Sequence, residues 1–198
     1  MGSDGYRLAA DLTYQPGEVI MEVGAESAAG GSTSFLARLG PPVVSIDING
    51  AAVAHAAATP NVAAMLGRAE SILVGWGKQV RFAWLDGYDW PYDDLPPDIL
   101  SRQTAEYEAA GLELSKEASQ RSHLIIATLL APWVPAGGVV AFDDTWQTPE
   151  GGWDGKGGRA VPWLLAFADR AGPRFELWRG QDDTQPWHDG YVAVWRLR

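Results

Sequence analysis

The sequence predicts an α/β fold, in which a mostly parallel sheet carries helices on both faces and ends in a C-terminal antiparallel hairpin. Two observations predict this fold. Short apolar runs alternate with longer stretches of helical pattern up to residue 142, which is typical of an α/β sheet. Beyond residue 174 the pattern changes to two alternating segments joined by the turn-rich stretch GQDDTQPWHDG, which indicates an antiparallel pair at one sheet edge.

Each element follows from its local pattern. The apolar runs predict strands at 19–23, 43–48, 62–66, 81–85 and 139–142. The helical stretches predict helices at 32–39, 50–58, 70–78, 98–110, 115–131 and 159–171. Prolines and glycines between 132 and 138 end the long helix before strand 139–142. The tail predicts two further strands, at 174–179 and 191–197.

A length of 198 residues suits one domain with a substantial core, so residues 1–198 are predicted to form a single domain. The segment around 90–122 is longer than a sheet connection requires, and we predict that it is an inserted helical segment. Insertions beside the ligand edge of α/β proteins commonly control substrate access. Its aromatic residues, such as Trp90 and Tyr92, suit a flat or sugar-like acceptor, although they are equally typical of a dimer surface.

Composition excludes several classes of function. The formal net charge of −10 argues against nucleic-acid and anionic-membrane partners, which both need a basic face. The chain has no cysteine, which removes disulfides, thiolate nucleophiles and cysteine zinc sites. It shows no signal peptide at its start and no apolar run long enough to cross a bilayer, so we expect a cytoplasmic protein. A small-molecule partner is expected, and a homo-oligomer remains open.

The stretch EVGAESAAGGST, residues 22–33, is the first candidate site. It leads from an apolar strand through small residues into a helix, and glycines at such a turn let a ligand approach the backbone. Asp47 ends the next strand, where a carboxylate can bind a ribose hydroxyl pair. Together these features indicate a nucleoside-containing cofactor. The glycine spacing is not that of the NAD fingerprint, and a tight turn beside a surface aspartate is the alternative.

Five segments in this order resemble the S-adenosylmethionine-dependent methyltransferases of the catechol and macrolide-sugar (macrocin-like) O-methyltransferase type. They are EVG with GGST, SIDIN, LGRAE, LDGYDW and GGVVAFDDTW. The resemblance implies a Rossmann-like class I methyltransferase sheet, S-adenosyl-L-methionine as cofactor and methylation of a small-molecule hydroxyl. It places the following residues at the cofactor: Glu22, Gly24, Gly30, Ser32, Asp47, Ala69, Glu70 and Asp86. For Glu70 an acid in the first turn of a helix, favoured by the helix dipole, is the alternative.

The strand order of that family makes neighbours of the strands that end at Asp86 and at Asp143 and Asp144. Carboxylates that converge at one sheet edge repel each other unless a cation is present. Hard oxygen ligands suit Mg²⁺, Mn²⁺ or Ca²⁺, and the resemblance implies such a metal on Asp86, Asp143 and Asp144. The alternative is that the aspartate pair caps a turn. Asp89 is a rival for Asp86.

The catalytic residues are predicted to be Asp86, His123 and Lys156. The catechol-type family has a lysine soon after its first metal aspartate, and this chain has Tyr88 and Asp89 there, so the general base stays open. His123, followed by apolar residues on a helix, also fits a buried structural histidine. Lys156 lies in the glycine-rich stretch GGWDGKGGR, which could be a mobile cover over the substrate or a solvated connection.

Three other functions remain open from the sequence. The first is a metal-independent methyltransferase acting on a peptide or metabolite. The second is a methyltransferase-like subunit that binds the cofactor without catalysis, which the longer cofactor turn at 25–29 and the missing lysine would suit. The third is a metal-dependent hydroxylase- or hydrolase-like protein on a related sheet, which would have no affinity for S-adenosylmethionine.

Overall fold

The computed structural model describes residues 5–25, 31–91, 96–169, 172–178 and 191–197. Within them, the strands of the main sheet are β1 (Val19–Val23), β2 (Val43–Asp47), β3 (Val62–Leu66), β4 (Val80–Leu85), β5 (Val139–Asp143), β10 (Phe175–Leu177) and β11 (Tyr191–Arg196). Short strands form two small hairpins, one from β6 (Thr145–Gln147) and β7 (Trp153–Gly155), the other from β8 (Ala168–Asp169) and β9 (Gly172–Pro173).

The order of the main sheet, among the described residues, is β10-β11-β5-β4-β1-β2-β3. Strands β1 to β5 run parallel to one another, and β11 runs antiparallel to both β5 and β10. The inner strand β1 is buried at all five positions, as expected for a parallel strand covered on both faces. The predicted mostly parallel sheet with an antiparallel C-terminal pair is therefore confirmed.

Helices cover the two faces of this sheet. They are α1 (Ser32–Ala37), α2 (Gly50–Ala57), α3 (Ala69–Leu73), α4 (Pro97–Ala109), α5 (Lys116–Leu130) and α6 (Ala160–Ala166), with 3₁₀ helices at Gly5–Asp11 and Ala131–Trp133. On one face, Met21 packs in a core with residues of α3, α5 and α6. On the other, Ile20 and Trp84 pack with α1 and the first 3₁₀ helix. The alternation along the strands thus builds two apolar layers.

Two predicted helices end early. The helix predicted at 70–78 stops at Leu73, because Gly75 takes a left-handed conformation with φ of +79°, which is a common way to terminate a helix. The helix predicted at 159–171 stops at Ala166, and Phe167 has an extended backbone. Its last predicted residues instead include β8. The hairpin of β6 and β7 occupies part of the stretch that the sequence predicted as a loop.

The predicted insertion around 90–122 contains α4 and the first residues of α5. Residues 92–95, the predicted turn at 180–190 and Gly30 lie outside the described residues. In the part of the chain that is described, no helix has the length and apolar character needed to cross a membrane.

Candidate active site at the carboxyl edge of the sheet

A cavity of about 920 Å³ opens where the parallel strands end. Its wall includes the turn after β1, the end of β2, the residues after β4, and side chains of α4 and the first 3₁₀ helix. Ligands of open α/β sheets bind at this edge, and the volume falls in the range of cofactor sites. The edge that the sequence predicted for ligand binding is thus a cavity.

Glu22 lies behind the turn after β1. Its carboxylate is fully buried and accepts hydrogen bonds from the hydroxyls of Ser32 (2.6 Å), Thr33 (2.7 Å) and Ser45 (2.6 Å). Burial raises its pKa to about 7, although the three hydroxyls oppose the shift. Glu22 therefore ties β1 to β2 and to the start of α1. It shapes the turn from behind, while Ser32 also lines the cavity.

The backbone around position 24 leaves room only for a glycine. Its φ is +93°, and a Cβ there would lie 2.6 Å from the carbonyl carbon of Asp86 and from the nitrogen of Gly87. No other residue fits that conformation and that approach without strain. The sequence interpretation assigned this glycine to ligand approach, which stays a prediction, and Gly24 does line the cavity. The structure adds that it brings the turns after β1 and β4 together.

Asp47 ends β2 at the rim of the cavity. Its Oδ2 accepts the backbone N–H of Ala25 at 2.7 Å, and its Oδ1 accepts that of Asn49 at 2.7 Å. Burial raises the pKa of this carboxyl, and the backbone donors oppose the shift. The two bonds hold the carboxylate rigidly between the turn after β1 and the start of α2. Its remaining lone pairs are the acceptors that a ribose diol needs.

Ala69 and Glu70 start α3, but they face different surroundings. Ala69 is buried and lines the cavity. The Glu70 carboxylate accepts a short hydrogen bond from the hydroxyl of Tyr88 and lies 3.7 Å from the Arg68 guanidinium. Tyr88 lines the cavity and has a positive φ of 57°. Glu70 therefore fixes the side chain of Tyr88, whose positive φ is uncommon for a residue other than glycine.

The three predicted metal ligands come together as expected. Asp86, Asp143 and Asp144 each offer a carboxylate oxygen, and these oxygens lie within 4.8 Å of one another. Burial, followed by the charge of Asp86, raises the pKa of Asp143 to about 8. One oxygen of Asp143, Oδ1, is buried without a hydrogen-bond partner among the described residues. By donor type alone, this set suits a hard divalent cation.

Lys156, however, already supplies a cation to this cluster. Its Nζ lies 2.5 Å from Asp86 Oδ1, 2.9 Å from Asp89 Oδ1 and 3.1 Å from Asp144 Oδ2, and its side chain is 1% exposed. Burial lowers its pKa, but the surrounding carboxylates outweigh burial and raise the pKa well above its usual value. Lys156 is therefore an ammonium. With this ammonium in contact with its carboxylates, the cluster does not fit a divalent ion as well.

The hairpin of β6 and β7 positions this lysine. The N–H of Lys156 donates to the carbonyl of Asp144 at 3.0 Å, and the N–H of Gly157 donates to Thr145 Oγ1 at 2.8 Å. Gly155 has φ of +80°, and a Cβ there would overlap the carbonyl oxygen of Asp144. The glycines that suggested a mobile cover or a solvated connection instead pack the loop against the end of β5.

His123 lies in the core. It is fully buried on α5, and its Nδ1 is 2.9 Å from the carbonyl oxygen of Ser119. Its ring contacts the rings of Tyr88 and Phe142. Burial lowers its pKa to about 4, so the imidazole is neutral at physiological pH. The side chain is not among the described residues that line the cavity.

Sequence reasoning missed part of the cavity wall. Tyr6 and Arg7 from the first 3₁₀ helix line the cavity, as do Arg102 and Tyr107 from α4. The length of the 90–122 segment indicated that it would affect access to the site. No comparable signal marked the first 3₁₀ helix, which joins the wall through packing of Tyr6 on Trp84.

Solved structures with the same fold include several methyltransferases. A putative rRNA methylase from Clostridium thermocellum matches with a TM-score of 0.58 at 14% identity, covering 100% of this chain and 98% of that one. A putative methyltransferase from Streptococcus mutans, in complex with SAH, gives 0.55 at 14% identity over 100% of both chains. A putative O-methyltransferase from Klebsiella pneumoniae gives 0.55 at 15% identity, covering 91% and 74%. No protein-family model and no curated protein matches the chain.

At such low identity the likeness establishes the fold. The predicted Rossmann-like methyltransferase architecture is therefore confirmed. One of these neighbours has SAH bound, and another is a TehB-like SAM-dependent methyltransferase from Corynebacterium glutamicum.

Proposed function

We propose that this protein is an S-adenosylmethionine-dependent methyltransferase that methylates a hydroxyl of a small molecule. The observation that carries the proposal is the rigid Asp47 carboxylate at the rim of the cavity, held by Ala25 and Asn49 at 2.7 Å each. In an open α/β sheet this position recognises the ribose of a nucleoside cofactor. The fold shared with methyltransferases, one of them solved with SAH, supports S-adenosylmethionine among such cofactors.

The same wall suggests where each part of the cofactor lies. Asp47 would bind the ribose hydroxyls, and the buried start of α3 at Ala69 would present backbone to the adenine. The turn at Gly24 and Ala25 would then face the methionine portion, with Ser32 beside it. This placement leaves the methyl group near the residues that follow β4.

Methyl transfer asks the protein mainly for alignment, because the sulfonium is already activated and proximity supplies much of the rate. Asp86 and Asp89 line the cavity, and either carboxylate can accept a hydrogen bond from an acceptor hydroxyl. Lys156 is charged and His123 is buried, so neither is favoured as the base. Tyr107 and Tyr6 add aromatic rings to the cavity wall, which suits a small ring-containing acceptor.

A small molecule is preferred over a nucleic acid despite the rRNA methylases among the structural neighbours. The formal net charge of −10 opposes binding to a polyanion. The metal-independent version of the reaction is favoured, because the ammonium of Lys156 lies within the acidic cluster. The macrocin-like, magnesium-dependent version is the second candidate, supported by the convergence of Asp86, Asp143 and Asp144, and it requires the ammonium to leave the cluster.

Calorimetric titration of S-adenosylhomocysteine, with Mg²⁺ and again after EDTA, tests the cofactor assignment. Wild type is expected to bind in the micromolar range. Asp47→Ala is expected to weaken binding about 10- to 100-fold, since the lost bonds go to a charged acceptor. Glu150→Gln, in an exposed turn, is the matched control and should bind like wild type.

Absence of binding by the folded wild type would exclude the methyltransferase proposal. A panel of catechols, sugars and other hydroxyl acceptors, with methylated product as the readout, then separates enzyme from binding subunit. Tight cofactor binding without product on any acceptor would favour the non-catalytic alternative.

A further inference from the structure

The buried ammonium of Lys156 has the surroundings of a bound metal ion. Oxygen atoms face it from Asp86 Oδ1, Asp89 Oδ1 and Asp144 Oδ2 at 2.5 to 3.1 Å, and from the Asp86 carbonyl at 3.1 Å. With 1% of the side chain exposed, these oxygens replace water around the charge. All-oxygen surroundings that combine carboxylates with a carbonyl are the ones that hard cations prefer in proteins.

The backbone builds this position. The carbonyl of Asp144 accepts the N–H of Lys156 itself, so the residue that contributes a carboxylate also anchors the lysine main chain. Gly155 leaves no room for a side chain at this contact. In a second hydrogen bond, the N–H of Gly157 donates to Thr145 Oγ1. Lys156 is thus held in the cluster by its main chain as well as by its charge.

We infer that Lys156 is the resident cation of this cluster and takes the place of a divalent metal between Asp86, Asp143 and Asp144. A metal bound by the carboxylates of Asp86 and Asp144 would share its ligands with the ammonium. Two cations that close repel strongly where water is excluded. Wild type therefore binds no divalent ion at these three aspartates, and loss of the ammonium converts them into a metal site.

The consequence for the acceptor rests on the proposed function, whereas the inference itself does not. Lys156 lies behind the cavity wall, and Asp86 and Asp89 lie in it. Lys156 is therefore a positioning residue that keeps these two carboxylates fixed through contacts of 2.5 and 2.9 Å. Such a site recognises a single acceptor hydroxyl by hydrogen bonding. The acceptor therefore does not have to be a diol that chelates a metal.

Binding of Mn²⁺, followed by electron paramagnetic resonance without cofactor or acceptor, tests the inference. Wild type and Lys156→Arg are expected to bind no Mn²⁺ at the cluster. Lys156→Met is expected to gain one site, with a Kd of about 10–100 µM. The double variant Lys156→Met/Asp144→Asn is expected to lose it again, which identifies the ligands.

Stoichiometric Mn²⁺ binding by wild type that Asp144→Asn abolishes would overturn the inference. So would a folded Lys156→Met that binds no Mn²⁺. If Lys156→Met unfolds without metal, recovery of its circular dichroism on adding Mn²⁺, absent in the double variant, supports the inference, and failure to recover counts against it. Titration of S-adenosylhomocysteine into the same wild-type sample reports on the proposed function separately.

Discussion

At the start of β4, Arg81 binds the Glu18 carboxylate through two hydrogen bonds of 2.8 and 2.6 Å. Just beyond the end of the same strand, the ammonium of Lys156 is shared among Asp86, Asp89 and Asp144. The first pair is one cation for one carboxylate, and a third bond from Arg81 reaches the Ala136 carbonyl at 2.7 Å. The second region has one cation for several carboxylates.

The difference separates a structural ion pair from a candidate site. Both partners of the Arg81–Glu18 pair are nearly buried, at 12% and 7% side-chain exposure, and the fork geometry uses both carboxylate oxygens. Around Lys156 the carboxylates of Asp86, Asp89 and Asp144 keep about a third of their surface exposed, and the Asp143 carboxyl beside them has a pKa raised to about 8. Several acids that share one cation beside a cavity, with perturbed pKa values among them, are typical of a functional site.

Removing the shared cation is expected to have the largest effect. Lys156→Met should lower the free energy of unfolding by about 3–4 kcal/mol at neutral pH, because a buried cation is lost while its carboxylates remain. Partial exposure of those carboxylates keeps the loss from being larger. Urea unfolding measures it, and the loss should shrink at acid pH as the carboxylates protonate. An unchanged midpoint would show that the cluster does not depend on Lys156.

Glu22 sharpens the comparison, because hydroxyls and not a cation surround this buried acid. Folding raises its pKa from 4.5 to about 7, so its contribution to stability is full below pH 4.5 and is lost as pH rises through about 7. The shift corresponds to up to about 3 kcal/mol. As the pH rises from 5 to 8, the free energy of unfolding of Glu22→Gln should therefore increase relative to that of wild type, by up to this amount.

Thermal unfolding of both proteins across that pH range measures the gain. Glu150→Gln, in an exposed turn, should track wild type throughout. Parallel curves for Glu22→Gln and wild type would mean that Glu22 does not titrate in this range.

Breaking the Arg81–Glu18 ion pair is expected to lower the free energy of unfolding by less. Arg81→Met should lower the free energy of unfolding by about 2 kcal/mol, because Glu18 keeps the N–H of Gln15 at 2.8 Å while losing its charged partner. Its affinity for S-adenosylhomocysteine should match that of wild type, since the pair lies at the end of β4 opposite the cavity. A tenfold weaker affinity in calorimetry would show that the ion pair at one end of β4 affects the cavity at the other end.

The smallest effect is expected at the exposed pair of Lys116 and Asp154, which joins α5 to the hairpin of β6 and β7. The two groups are 2.6 Å apart, at 39% and 28% side-chain exposure. Solvent screening limits such pairs to a fraction of a kcal/mol. Lys116→Met should therefore change the unfolding free energy by less than about 0.5 kcal/mol in urea. A loss comparable to that of Lys156→Met would show that the hairpin itself governs the stability of the cluster.

The strands show how much of the fold was predictable. Strands 19–23 and 62–66 were predicted with both ends correct, because a short, mainly apolar segment between turn residues is encoded locally. The helix that stops at Leu73 was overextended, since its apolar pattern continues past Gly75. The three-residue strands β6 and β7 were missed, because so short a segment has no period to detect.

What the sequence by itself determined is which acids end the strands. Asp47 after β2, Asp86 after β4 and Asp143 with Asp144 after β5 could be assigned to one sheet edge, because parallel strands present their carboxyl ends together. Only the tertiary structure decided what neutralises them. Lys156 meets Asp86 across a separation of 70 residues, and Gly24 meets the turn after β4. Contacts at such separations depend on how elements pack, and packing leaves no periodic signal in the chain.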